Sequence, residues 1–255
     1  MKYRTDRHPV TLEVCANSVT SALAAQLGGA SRVELCENLH EGGTTPSYGD
    51  ILLAREQLHL KLYVLIRPRG GDFLYTDLEY KIMTKDIKHC IDAGCDGIVT
   101  GILNADGSID KKRCAELLQM AKQAGLGVTF HRAFDLCNDQ FRALEDIIEL
   151  GFERILTSGG KTTAMEGSRR IAELINKANG RVIIMPGSGI NENNVMDLVH
   201  YTDVSEVHSS ARKRVKSKMT YHNDHIIMNN QYGDEYSNEV TDADMVKAIL
   251  RNANK

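Results

Sequence analysis

Proline is scarce in this chain and its cysteines follow no pattern, and both facts narrow the field. Four prolines among 255 residues, beside 21 glycines, exclude collagenous and proline-rich architectures. The six cysteines, at 15, 36, 90, 95, 114 and 137, make no C-x-x-C pair. Cys90 and Cys95, five apart, do not have a recognisable zinc spacing. No apolar run approaches the roughly 18 residues that a membrane-spanning helix needs; Val182–Met185 typifies the longest. Met1–His8 lacks the apolar core of a signal peptide. The expected compartment is therefore the cytoplasm, with the thiols reduced. A net charge of −3 provides no global positive field, so neither nucleic acid nor a membrane is an expected partner.

What is present is a rhythm. Forty-two per cent of the chain is hydrophobic, enough for a real core. A short apolar, β-branched run followed by a loop and an amphipathic stretch recurs eight times. The strands are expected at Val10–Cys15, Arg32–Cys36, Leu62–Arg67, Gly97–Gly101, Val128–Arg132, Arg154–Ser158, Val182–Met185 and Val204–His208. Between them, Thr76 and Glu79 form a capping box ahead of a helix over Asp77–Ala93, with Leu78, Ile82, Ile87, Cys90 and Ile91 as its apolar face. Gly28, Gly94, Gly125, Gly151 and Gly180 stand where helices should stop. Alternating β and α predicts a parallel sheet. Eight units in one domain spanning 1–255 predict an α/β fold, a closed (β/α)8 TIM barrel. The competing open sheet usually carries a glycine-rich first turn; here that turn is Ala16-Asn17-Ser18. Residues 209–240 break the rhythm as a long polar loop between strand eight and the last helix. They read as a solvated loop or else as a lid, an oligomer contact or a mobile segment, with an extra strand or ribbon expected at Tyr221–Met228.

Side chains alternate along a strand. That alternation gathers Glu13, Glu34, Arg67, His131, Glu206 and His208 inside the barrel. Buried charges need partners, so the set must form a network, either a salt-bridged plug or a working site. Two close carboxylates, Glu13 and Glu34, would push one pKa upward and suit acid–base chemistry. Glycine-rich loops add anion chemistry: Gly187-Ser188-Gly189 after strand seven, Thr157-Ser158 after strand six, Arg67 and Arg69 after strand three, and Arg212 after strand eight. Cys15 and Cys36 end neighbouring strands, where two thiolates can bind Cu(I) or simply pack. His222-Asn223-Asp224-His225 reads as surface.

Seven segments together resemble a known family. They are Glu13–Cys15, Arg32–Cys36, Glu41–Ser47, Ile66–Phe73, Thr129–Asp135, Arg154–Gly159 and Glu206–Arg212, and they look like those of the CutC copper homeostasis family from about residue 9 to the C-terminus. The resemblance implies a TIM barrel, a cytoplasmic protein, often a homo-oligomer, and Cu(I) binding at Cys15 and Cys36. The family's usual triple glycine after strand seven is here Gly187-Ser188-Gly189. Two functions stand side by side. One is Cu(I) binding in copper homeostasis. The other is an enzyme acting on a small anionic, phosphorylated or similar, substrate, with Glu13, Glu34, His131, Glu206 and His208 as acid–base candidates and Arg67, Arg69, Thr157, Ser158, Gly187, Ser188, Gly189 and Arg212 as ligand-binding residues. A third reading is a non-catalytic scaffold.

Overall fold

The computed structural model describes residues 9–223, 225–226 and 235–255. Eight strands form a parallel barrel: β1 (Thr11–Ala16), β2 (Arg32–Leu35), β3 (Lys61–Leu65), β4 (Gly97–Thr100), β5 (Gly127–Phe130), β6 (Arg154–Thr157), β7 (Ile183–Pro186) and β8 (Glu206–Ser209). Their hydrogen-bonded order is β7-β6-β5-β4-β3-β2-β1-β8. β8 lies beside β1, pairing Glu13 with His208 and Thr11 with Glu206. β7 and β8 are neighbours across the remaining seam without a ladder between them. A side chain at Gly187 would collide with Leu156 and crowd His208, so this glycine lets the two strand ends approach.

Eight helices surround the strands: α1 (Val19–Leu27), α2 (Tyr48–Gln57), α3 (Asp77–Asp92), α4 (Lys111–Gln123), α5 (Gln140–Leu150), α6 (Ser168–Ala178), α7 (Val195–Thr202) and α8 (Ala243–Ala253). The capping box at Thr76 and Glu79 is present. The apolar face of α3 differs from the expected one. Met83, Ile87 and Cys90 are buried, while Leu78 and Ile82 are exposed. Helical spacing explains this, because positions 78 and 82 lie on the side of the helix turned away from 83 and 87. The first helix stops at Gly28, as expected. That glycine keeps a right-handed conformation, and Gly29 takes the positive φ. Gly28 is small because Val246 of α8 packs directly on it.

The long loop forms a ribbon, but over other residues than Tyr221–Met228, where one was expected. β9 (Arg212–Lys216) pairs antiparallel with β10 (Ser237–Thr241). Tyr221–Asn223 belong to no strand, and 224, 227 and 228 lie outside the described residues. No helix among the described residues is long and apolar enough to cross a membrane.

Two packed regions result. Leucine, isoleucine and valine fill the space between strands and helices. Inside the barrel a smaller apolar group, Cys15, Cys36, Tyr63, Leu65 and Val99, sits among charged residues. Tyr63 crosses the barrel floor over β4 and β5, and its hydroxyl donates to Glu153 at 3.0 Å. It fits because both strands open with glycine: a Cβ at Gly97 or Gly127 would fall inside the phenol. Gly127→Ala therefore forces Tyr63 out of place. We expect a loss of about 1–3 kcal/mol in urea denaturation, and Tyr63→Leu in the same background should recover part of it.

Candidate functional site

The interior polar residues form two layers with different chemistry. The lower layer lies at the N-terminal ends of the strands. Arg32 there bridges Glu13, through Nε to Oε2, and Glu206, through a terminal nitrogen at 2.6 Å. Arg154 donates to both oxygens of Glu206, at 3.1 and 3.4 Å, and to Thr129 at 3.4 Å. Both guanidiniums lie over the Tyr63 ring. Glu206, expected near the mouth as an acid–base group, is therefore the anion of a structural plug at the opposite end.

The upper layer is linked to the lower one through Glu13. Its second oxygen meets His208 Nδ1 at 2.8 Å, and His208 Nε2 lies 3.7 Å from Glu34. Burial alone would raise the Glu13 pKa, but Arg32 and His208 outweigh it and hold this carboxyl well below the usual range. Glu34 moves the other way. Burial raises it and the Glu13 charge adds to the rise, against the pull of His208. His208 should lose its proton on burial, yet contacts with Cys15 and Glu13 and the charge of Glu34 raise its pKa well above the usual value. The two carboxylates are thus driven apart, a pattern that separates an acid from a base. Above Glu34, the Cys15 and Cys36 sulfurs lie 3.4 Å apart, both as free thiols. Hydrogen bonding to Cys36 and burial keep the Cys15 thiol protonated well beyond its ordinary range. One ligand atom each from Cys15, Glu34 and Cys36 falls within 4.8 Å of the others.

These groups form one wall of a cavity of about 470 Å³ at the mouth. Arg67, His131, Ser188, Gly189 and Arg212 also line it. Glu13, Gly187, Arg69, Thr157 and Ser158 do not. Gly187 donates its N–H to Thr157 at 2.9 Å. Arg69 binds Glu79 and Asp72 on the outer loop. The nest at Thr157-Ser158 receives the chain's own Asp135, whose carboxylate accepts from the Thr157 hydroxyl, the Ser158 and Gly160 amides and Arg132. Ser188, at φ +82°, donates its hydroxyl to Thr162. Arg212 pairs with Glu239 across the ribbon. Arg67 was expected to neutralise the glutamates. It instead donates to the carbonyls of Glu41, Gly43 and Gly71, clamping two loops.

Arg32 and Arg154, which do neutralise the glutamates, escape a reading based on strand interiors because each opens its strand. The same alternation that turns Glu34 and Leu156 inward turns them inward too. Asp135 had no sequence signal, since its nest is built from a different strand.

The CutC family profile matches residues 10–213. A family protein CutC of Bacteroides thetaiotaomicron is 51% identical over 92% of this chain and 94% of its own length. A copper homeostasis protein cutC homolog of Mus musculus is 44% identical over 93% of this chain and 87% of its own. The solved structure of a putative copper homeostasis protein CutC from Streptococcus agalactiae superposes with a TM-score of 0.75 at 38% identity, covering 79% of this chain and 98% of that one. Phosphoribosylanthranilate isomerase of Thermotoga maritima, with a TM-score of 0.57 at 12% identity over 96% of this chain and 98% of its own, shares the barrel fold alone.

Two measurements check the electrostatics. Arg32→Leu leaves Glu13 and Glu206 buried without their shared cation, and urea denaturation should show a loss of about 3–5 kcal/mol. His131 is buried beside Arg67, and both burial and that charge lower its pKa to about 3. The unfolded imidazole titrates near 6.5. This residue's contribution is therefore complete above that pH and is lost as pH falls toward 3. Between pH 7 and pH 5 wild type should lose about 2 kcal/mol more than His131→Phe; parallel stability curves would contradict the assignment.

Proposed function

The chain belongs to the CutC family, and from that premise we propose that it takes part in copper homeostasis by binding one Cu(I) ion as cargo at Cys15 and Cys36. The observation that carries this reading is the thiol pair, two sulfurs 3.4 Å apart at the edge of an open cavity. Soft thiolates select Cu(I), and the ion accepts few ligands. The spacing also bears on its coordination. With metal–sulfur bonds of about 2.3 Å, as for zinc thiolates, these sulfurs subtend about 95° at a shared ion. A linear arrangement would need them about 4.6 Å apart. The bent geometry leaves a side open to a third donor, and the Glu34 carboxylate stands there. The thiolates supply the affinity, and Glu34 completes the shell.

Loading expels the thiol proton that Cys15 holds so firmly, so apparent affinity rises with pH. His208, beside both Cys15 and Glu34 and held in its charged form, sets a positive charge next to the thiolate that loading leaves behind. In a titration against a competing Cu(I) chelator under reductant, wild type should bind one equivalent. Affinity should increase by up to about tenfold per pH unit between pH 6 and 8 for each thiol proton released. Cys15→Ser and Cys36→Ser should each abolish binding. Unchanged competition by both variants would remove the pair as ligands, and a pH-independent affinity would contradict loading through protonated thiols.

A further inference from the structure

The wall of the mouth cavity opposite the thiols carries features that copper binding does not use. His131 follows β5 directly and is 4% exposed. Its Nδ1 accepts the Ala133 amide at 3.2 Å, which places the proton on Nε2. Nε2 is buried and has no partner. The ring cannot shift aside: Gly101 packs beneath it and Phe130 lies edge-on to it. Beside it is Arg67, also 4% exposed. Its two terminal nitrogens are held by backbone carbonyls, and its Nε is buried without a hydrogen-bond partner. Among the described residues no carboxylate pairs with this guanidinium. A buried cation without a counter-charge and a buried N–H without an acceptor are each costly, and here they line one cavity. Phe73 rests against both, its ring centre 4.8 Å from the His131 ring and 4.8 Å from the Arg67 guanidinium carbon.

We infer that this wall is a binding site for the carboxylate of a small, partly apolar organic acid, with His131 Nε2–H as the direct donor, Arg67 as the compensating charge and Phe73 as the group that moves aside to admit it. One unpaired positive charge and one neutral donor match a monoanion. A phosphate dianion would leave a buried negative charge uncompensated. His131 stays neutral across the physiological range, so the donor is present at any working pH. The body of the acid lies against Leu65, Leu156 and Ile190 and points toward Glu34 and the thiols. A cavity of about 470 Å³ holds a molecule of this size. The site is independent of copper and of Cys15.

Butyrate, its neutral isostere butyramide and inorganic phosphate are the probes. With histidine-15N protein, butyrate should shift the His131 Nε2 resonance saturably, while butyramide should not. Ligand-observed NMR should show phosphate at least tenfold weaker. His131→Phe should weaken butyrate more than tenfold, and His131→Gln, which restores an N–H, should recover part of it. Phe73→Ala should bind more tightly than wild type, and Cys15→Ser should bind as wild type does. The inference is overturned if butyrate fails to bind both wild type and Phe73→Ala, if butyramide or phosphate binds as well, or if His131→Phe retains wild-type affinity. Weaker binding by Phe73→Ala would remove Phe73 as a cover.

Discussion

The pairing of Arg32 with Glu13 and Glu206 is the constraint on which the barrel interior depends. A (β/α)8 barrel is usually filled by branched apolar residues; this one places glutamates and arginines there. Each charge taken alone would cost several kcal/mol, so none can be present without its neighbour. Arg32 reaches downward to Glu206 and upward to Glu13. Arg154 closes the floor. With those carboxylates fixed, Glu13 is free to hold His208 in place with its other oxygen.

That arrangement polarises the molecule along the barrel axis. The lower end is sealed by paired ions stacked on Tyr63, with no role for a ligand. Toward the mouth, the pairing becomes looser. Glu34 sits 3.7 Å from its imidazole rather than in a tight ion pair, the thiols face each other and a backbone carbonyl with His208 and Glu34 beside them, and His131 has a donor with no acceptor. Unsatisfied polar groups concentrate where a fold keeps a site for something else. The mouth therefore has two faces, a soft one of sulfur and carboxylate and a hard one of guanidinium and imidazole N–H, separated by an apolar floor.

The neighbouring loops serve this division. Asp135 fills the anion nest after β6 with the chain's own carboxylate, and neither Thr157 nor Ser158 lines the cavity. Arg67 ties the loops after β2 and β3 together through three carbonyls, which fixes its charge in place. The β9–β10 ribbon carries Arg212 and Glu239 to the rim, so the long loop forms part of the cavity wall.

The sequence by itself pointed to the barrel, because eight apolar runs alternate with amphipathic helices and the first turn lacks the glycines usual in an open sheet. It also determined which side chains turn inward, since a period of two leaves no choice: Glu13, Glu34, His131 and His208 followed from it, and Cys15 and Cys36 on neighbouring strands did too. Height along the axis was another matter. Barrel stagger sets it, and stagger is a property of the pairing of all eight strands. That is why Glu206 proved to belong to the floor and not the mouth. Partnership was likewise decided only in three dimensions. Arg67 sits in a strand-end motif that looks made for glutamate, but loop carbonyls reach it first. Arg32 and Arg154, at strand starts, meet the glutamates because the tilt of the strands carries them across the barrel.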